Sequence, residues 1–169
     1  RRIHMKYYDR FCSGLSRVIL GICSLLMVIL LCCSALQVTS RYVFGSSITW
    51  TEEAARYCFI WLDMLGASVL VYKGGHAVVD LLVHKLHGTA RKIYETAVHV
   101  LVAYAGIILA RFGAALSSLT FRQTSPSLKL PMGAVYGVMS ICGVLVVIFT
   151  VNQLIHVWTG QKVTEEVQA

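Results

Sequence analysis

The feature that most constrains the fold of this chain is a run of 23 residues, Val18 to Ser40, without a single charged side chain. About 20 apolar helical residues cross a hydrocarbon core of about 30 Å. Hydrophobic residues make up 57% of the 169 residues and charged residues 14%, which is not the composition of a soluble protein. We predict an all-α integral membrane protein, one four-helix domain over residues 1–169, with transmembrane spans at 15–40, 51–72, 91–120 and 131–158.

The first span differs from a secretory signal peptide. Its apolar run exceeds the roughly 7–15 residues of a signal core, and no A-x-A cleavage pattern follows it. We therefore expect a permanent membrane anchor. Residues 1–4 precede Met5, and the sequence leaves open whether they are native.

Basic residues are distributed unevenly between the two sides of the predicted spans. The larger set is Arg1, Arg2, Lys6, Arg10, Arg17, Lys73, Lys85, Arg91, Lys92 and Lys162, and the smaller set is Arg41, Arg122 and Lys129. Basic residues are retained on the cytoplasmic face, so both termini are expected in the cytoplasm. Cytoplasmic loops that face anionic lipids explain the net charge of +7 without any nucleic-acid partner.

A short amphipathic helix is predicted between the second and third spans, over about residues 76–87. Gly74 and Gly75 interrupt the preceding helix, and apolar residues then recur at helical spacing, which is typical of a helix lying in the membrane interface. His76 and Asp80 lie at this inner surface. They either fix the turn before the interfacial helix or are ordinary solvated loop residues.

The residues that could bind a metal or a haem are scattered. The six cysteines lie within or beside apolar stretches without C-x-x-C spacing, so we expect neither a disulfide framework nor a metal site. His99 and His156 lie in the third and fourth spans and could in principle be axial haem ligands. A haem-binding membrane anchor of a respiratory complex is therefore the alternative function, although no cofactor is expected.

Small residues form stripes on the last two spans. The third span carries Gly106 and Gly113 among alanines and a serine, and Gly133 and Gly137 form a G-x-x-x-G in the fourth. Small residues at this spacing let helix backbones approach closely. We predict that these four glycines mediate helix packing.

The second span begins with a charged cluster. Thr49 and Glu52 have the spacing of a capping box, so Thr49 is the expected helix cap. Glu52 and Arg56 are four residues apart in the order that favours an ion pair. The same helix face continues to Asp63, which lies about 16 Å beyond Glu52 along the axis at 1.5 Å per residue. Asp63 is therefore expected deep in the hydrocarbon core.

Asp63 requires a partner because a charge at this depth is costly. Arg111 in the third span is the intramolecular candidate, and we hypothesise an Asp63–Arg111 pair. The alternatives are that Asp63 faces another protein or binds a coupling ion.

Several motifs together resemble the small membrane subunit (DctQ-like, Q subunit) of tripartite ATP-independent periplasmic (TRAP) transporters. The motifs are Arg41-Tyr42-Val43-Phe44, Trp50-Thr51-Glu52-Glu53 with Arg56, Trp61, Leu65-Gly66-Ala67, Gly75-His76 with Asp80, Ser125-Pro126-Ser127-Leu128, and Leu130-Pro131-Met132-Gly133 with Tyr136. The resemblance covers nearly the whole chain.

The resemblance implies a transporter of the bacterial inner membrane with three components. A periplasmic substrate-binding protein (P subunit) delivers organic acids to a large membrane subunit (M subunit), which performs sodium-coupled, elevator-type transport. The small subunit then acts as a scaffold and not as an enzyme. Trp50, Glu52, Glu53 and Arg56 would form an outer polar lock, against the large subunit or among the four helices. The plain alternative is a capped helix start with one surface ion pair.

Overall fold

The computed structural model describes residues 2–43, 45, 48–73 and 89–159, and within them four helices form. These are α1 (Arg2–Val43), α2 (Thr49–Tyr72), α3 (Thr89–Thr120) and α4 (Met132–Thr159). Each helix contains a segment long and apolar enough to cross a membrane. The predicted all-α architecture with four transmembrane helices is thereby confirmed.

The helix ends differ from the predicted spans mainly in α1. This helix extends well beyond 15–40 at its start, because the polar residues that flank the uncharged run are also helical. α4 begins directly after Pro131, whose fixed φ suits a helix start. The predicted interfacial helix over 76–87, with His76 and Asp80, lies outside the described residues, and the single-domain organisation stays a prediction.

α4 occupies the centre of the helix arrangement. One of its faces packs along α3, the opposite face packs on α2, and α1 packs mainly on α2. The buried core between α1, α2 and α4 consists of Cys12, Ile19, Leu65, Val69, Tyr72, Val138, Leu145 and Phe149. Within it the rings of Tyr72 and Phe149 lie 5.1 Å apart between centroids. α4 thus stands between α2 and α3, which share no extensive contact in the described helices.

The contact between α3 and α4 is close enough to require glycine. A Cβ atom on Gly113 would lie 2.7 Å from the backbone nitrogen of Ser140, and one on Gly133 would lie 2.5 Å from the carbonyl oxygen of Ser117. Gly143 has even less space beside the backbone of α3. Gly137 meets only an ordinary contact of 3.7 Å, so it is not needed for the close approach.

Hydrogen bonds hold the helices together near the chain termini. We call this side of the bundle the terminal end, and the side with the α3–α4 connection the loop end. At the terminal end the Tyr8 hydroxyl donates to the carbonyl of Ile148 at 3.1 Å, and the Gln153 amide donates to the carbonyl of Tyr72. These bonds fix α1 and α2 against the last turns of α4.

Candidate functional site

The charged cluster at the start of α2 contains an ion pair on the surface of the chain. Arg56 Nη2 lies 3.2 Å from Glu52 Oε1, and both side chains are more than half exposed. An exposed pair of this kind contributes well under about 1 kcal/mol. The expected cap is wrong, because Ile48 occupies the N-cap position without a side-chain cap bond and Thr49 is already helical.

The neighbouring carboxylate of Glu53 binds the connection between α3 and α4. It accepts hydrogen bonds from the Ser125 hydroxyl at 2.8 Å, from the backbone N–H of Ser127 at 3.1 Å and from the backbone N–H of Leu128 at 3.1 Å. Ser125 itself is almost completely buried. Hydrogen bonds to an ionised acceptor are stronger than neutral ones. Glu53 therefore attaches the start of α2 to a loop more than 70 residues away.

The geometry of the α3–α4 loop explains why its N–H groups are available to Glu53. A bridge between Thr124 and Pro131 closes the loop, and the N–H of Ser125 donates to the carbonyl of Leu130 at 2.9 Å. The chain then reverses through Lys129, whose φ of 55° is the left-handed conformation that few non-glycine residues adopt. The turn leaves the N–H groups at its tip to bind the carboxylate of Glu53.

Further contacts near the loop end involve two aromatic residues. The Tyr57 hydroxyl, one turn after Glu53, lies 3.5 Å from the sulfur of Met132 at the start of α4. Trp50 lies three residues before Glu53, and its side chain is exposed. Of the predicted lock residues, Glu53 is thus bound within the chain, whereas Trp50, Glu52 and Arg56 face outward.

The hypothesised Asp63–Arg111 pair is not formed in the structure. Among the described residues, neither Asp63 nor Arg111 belongs to an ion pair within 4.0 Å. Asp63 on α2 and Arg111 on α3 are both exposed, and the intervening α4 keeps their helices apart. Their distances from the loop end of the bundle also differ. At 1.5 Å per residue, Asp63 lies about 21 Å from Thr49 at the start of α2, whereas Arg111 lies about 14 Å from Thr120 at the end of α3.

Asp63 belongs to an exposed face of α2 that we call the α2 stripe. It consists of Glu52, Arg56, Phe59, Asp63, Ala67 and Leu70, all of which are exposed. The buried residues of the helix, such as Leu65 and Val69, lie on the opposite side in the core. In the described residues the Asp63 carboxylate has no hydrogen bond or ion pair within the chain. The stripe therefore places a charge near the middle of the helix on a free surface.

Arg111 borders a different surface. It lines a groove of about 470 Å³ between α3 and α4 whose other lining residues are apolar: Ile107, Ala110, Val144, Val147 and Ile148. The long arginine side chain can extend along apolar surface toward a membrane interface. An aspartate side chain is too short to do so. Within its membrane span, Asp63 therefore needs a partner for its charge more than Arg111 does.

Residues considered for metal or haem binding show ordinary helix contacts where they are described. The His99 Nδ1 lies 2.6 Å from the carbonyl oxygen of Glu95, one turn earlier. The side chain of His156 lies outside the described set. Among the described residues, no group of three His, Cys, Asp or Glu side chains could hold a metal ion.

Comparison with known proteins decides the family. Residues 27–160 match the family described as tripartite ATP-independent periplasmic transporters, DctQ component. This chain belongs to the DctQ family. It is therefore a component of a transporter and a multi-pass protein of the inner membrane, as the resemblance implied.

Two relatives of this DctQ chain are separate small proteins. A protein of Haemophilus influenzae named as a TRAP transporter small permease protein is 32% identical over 120 residues, covering 71% of this chain and 74% of the relative. The C4-dicarboxylate TRAP transporter small permease protein DctQ of Rhodobacter capsulatus is 32% identical over 95 residues, covering 54% and 41%.

A third relative is a much longer protein. The sialic acid TRAP transporter permease protein SiaT of Haemophilus influenzae is 38% identical over 77 residues, which are 46% of this chain and 12% of SiaT. In SiaT the DctQ-like segment is thus fused to the rest of a permease. DctQ subunits accordingly have the large permease subunit as a partner.

Sequence reasoning missed the residues that bind Glu53. Ser125, Ser127 and Leu128 were noticed as a motif, but nothing in their spacing indicated that two backbone N–H groups and a hydroxyl converge on one carboxylate. Gly143 was also missed at the α3–α4 contact. Its signal was available, since the small-residue stripe of Gly133, Gly137 and Ser140 continues three residues later to Gly143.

Proposed function

We propose that this chain is the small scaffold subunit that binds and stabilises the large, elevator-type subunit of a sodium-coupled TRAP transporter. The observation that carries this proposal is the α2 stripe, a charged helix face that neither α1 nor α4 covers. A charge at the centre of a bilayer costs at least about 2.5–3.5 kcal/mol unless it finds a partner. A partner subunit that packs on this helix face supplies the partner for the charge.

Most of the remaining exposed surface is suited to lipid or to apolar protein contact. α1 and α3 expose large apolar side chains such as Leu25 and Leu101. Lipid tails cover such residues without cost, so these surfaces alone would not require a partner. The polar members of the α2 stripe are what distinguishes it.

The helices offer little for substrate or ion binding. Transporter sites are commonly built from interrupted helices and converging polar groups at the membrane midplane. α2, α3 and α4 run unbroken for 24, 32 and 28 residues. This continuity favours a division of labour in which the large subunit binds the substrate and the sodium ions.

The names of several relatives support a proposal for the substrate class. Their names refer to sialic acid, C4-dicarboxylates and isethionate, all of which are organic acids. We propose that the complex imports an organic acid delivered by a periplasmic substrate-binding protein. Both termini lie in the cytoplasm in this arrangement, as the distribution of basic residues indicates.

The proposal is tested by reconstitution of the complex. The affinity-tagged chain is produced together with a large permease subunit from the same organism, and the purified complex is placed in proteoliposomes with a periplasmic binding protein and an inward sodium gradient. We expect the large subunit to copurify and an organic acid to accumulate only when all three proteins and sodium are present. Undiminished uptake by the large subunit without this chain would refute the scaffold role.

A further inference from the structure

We infer that the α2 stripe is the surface on which one transmembrane helix of the large subunit packs, and that this helix presents a lysine or arginine side chain to Asp63. The inference rests on the proposed function. It assigns the contact surface on this chain and the chemistry of the partner at one position.

The spacing of the stripe fits a single helix. Its members follow one another at steps of four, three, four, four and three residues. Steps of three and four residues keep side chains on one helix face, along which two helices that cross at about 20° stay in contact. From Glu52 to Leu70 the stripe is about 27 Å long at 1.5 Å per residue, close to the thickness of a hydrocarbon core. One crossing helix can therefore cover it completely.

The shape of the stripe also allows a close contact. Phe59 and Leu70 project as large apolar side chains, 57% and 56% exposed, on either side of the small residue Ala67. Large side chains beside a small one form a surface into which a neighbouring helix can interdigitate. Asp63 lies between them, so a helix packed here excludes both lipid and water from its carboxylate.

The charge of Asp63 selects the occupant. Lipid tails offer no hydrogen-bond donor to the carboxylate. A second copy of the chain would dimerise about a two-fold axis with both copies in the same membrane orientation, which brings two Asp63 residues to the same depth. Two like charges would then repel each other in a low-dielectric environment. A helix of a different protein with a cationic side chain at this depth supplies the hydrogen-bond donor and avoids the repulsion between like charges.

Photocrosslinking in the assembled complex locates the surface. Benzoylphenylalanine replaces Phe59 on the stripe or, in the matched control, Phe112, which is similarly exposed on α3 at 66%. We expect irradiation to join the Phe59 variant to the large subunit and to join the Phe112 variant to it weakly or not at all. Crosslinks from position 112 without crosslinks from position 59 would overturn the assignment.

A pair of alanine variants tests the close packing. Ala67 and Ala105 are both exposed, on α2 and α3 respectively. Ala67→Trp is expected to lower the amount of copurified large subunit about tenfold, because overpacking a helix contact is destabilising. Ala105→Trp leaves it unchanged. Thermal unfolding of the isolated variants verifies that both fold.

Two substitutions of Asp63 test the chemistry of the partner. Asp63→Asn is expected to reduce the copurified large subunit about tenfold, because it leaves the partner's cation uncompensated. Asp63→Glu retains binding. An Asp63→Asn variant that binds like the wild type would refute a cationic partner. If the wild-type chain retains the large subunit and every variant does too, the inference fails while the scaffold function stands. If the wild type retains none, both fail.

Discussion

Two carboxylates on α2, ten residues apart in sequence, differ in their hydrogen-bond partners. Glu53 faces the α3–α4 loop and accepts hydrogen bonds from Ser125, Ser127 and Leu128. Asp63 lies on the α2 stripe without a hydrogen bond or ion pair from the described residues. One helix can therefore divide its polar groups between two tasks. Groups that are bound within the chain stabilise the subunit, and groups left on its surface are available for assembly.

Replacement of Glu53 should have the largest effect on the isolated subunit. Glu53→Ala removes the acceptor for the hydroxyl and the two N–H groups of the loop, and such groups are costly when left without partners. We expect the thermal unfolding midpoint in detergent, followed by tryptophan fluorescence, to fall by several degrees.

The adjacent Glu52 provides the matched control for that experiment. Its partner Arg56 is exposed, so Glu52→Ala should leave the midpoint nearly unchanged. An equal loss of stability in both variants would show that Glu53 contributes no more to the stability of the fold than Glu52 does.

Removal of a single donor should have an intermediate effect. Ser125→Ala deletes the hydroxyl that donates to Glu53 at 2.8 Å at an almost fully buried site, and we expect a loss of about 1 kcal/mol of unfolding free energy. The measurement is chemical or thermal unfolding of the isolated subunit. In the double variant with Glu53→Ala the second substitution should add little, because both remove the same interaction. Full additivity would show that the two residues do not act together.

Replacement of Asp63 should have the smallest effect on the isolated subunit. Asp63→Leu removes a charge from an exposed position within the membrane span, so the unfolding midpoint in detergent should stay constant or rise slightly. The same variant should assemble poorly with the large subunit. A marked loss of stability in the isolated chain would instead place Asp63 with Glu53 as a group that stabilises the fold.

The features that were predictable from sequence are those that depend on neighbours along the chain. The uncharged runs indicated the four membrane helices because their length matches a bilayer. The Glu52–Arg56 pair follows from residues four apart facing each other on a helix, and the structure has it at 3.2 Å. The small-residue stripe likewise marked a packing face on α4.

The features that were not predictable depend on which helices are neighbours. The pairing of Asp63 with Arg111 was plausible because both charges lie within predicted spans, but α4 separates their helices. The partners of Glu53 could not be found by spacing, because two of them are backbone N–H groups that every residue except proline carries. Their position depends on the loop closed by Thr124 and Pro131 and on the left-handed conformation of Lys129.

The class of this protein, its four helices and its membership of the DctQ family can be read from the sequence, because hydrophobic length and local motifs do not depend on three-dimensional context. That Glu53 is bound within the chain and Asp63 is not depends on how the helices pack in three dimensions. The physical reason is that helix order in space is set by how closely surfaces can pack. Glycines at the α3–α4 contact bring these two backbones together, the other side of α4 packs on α2, and one face of α2 is left uncovered.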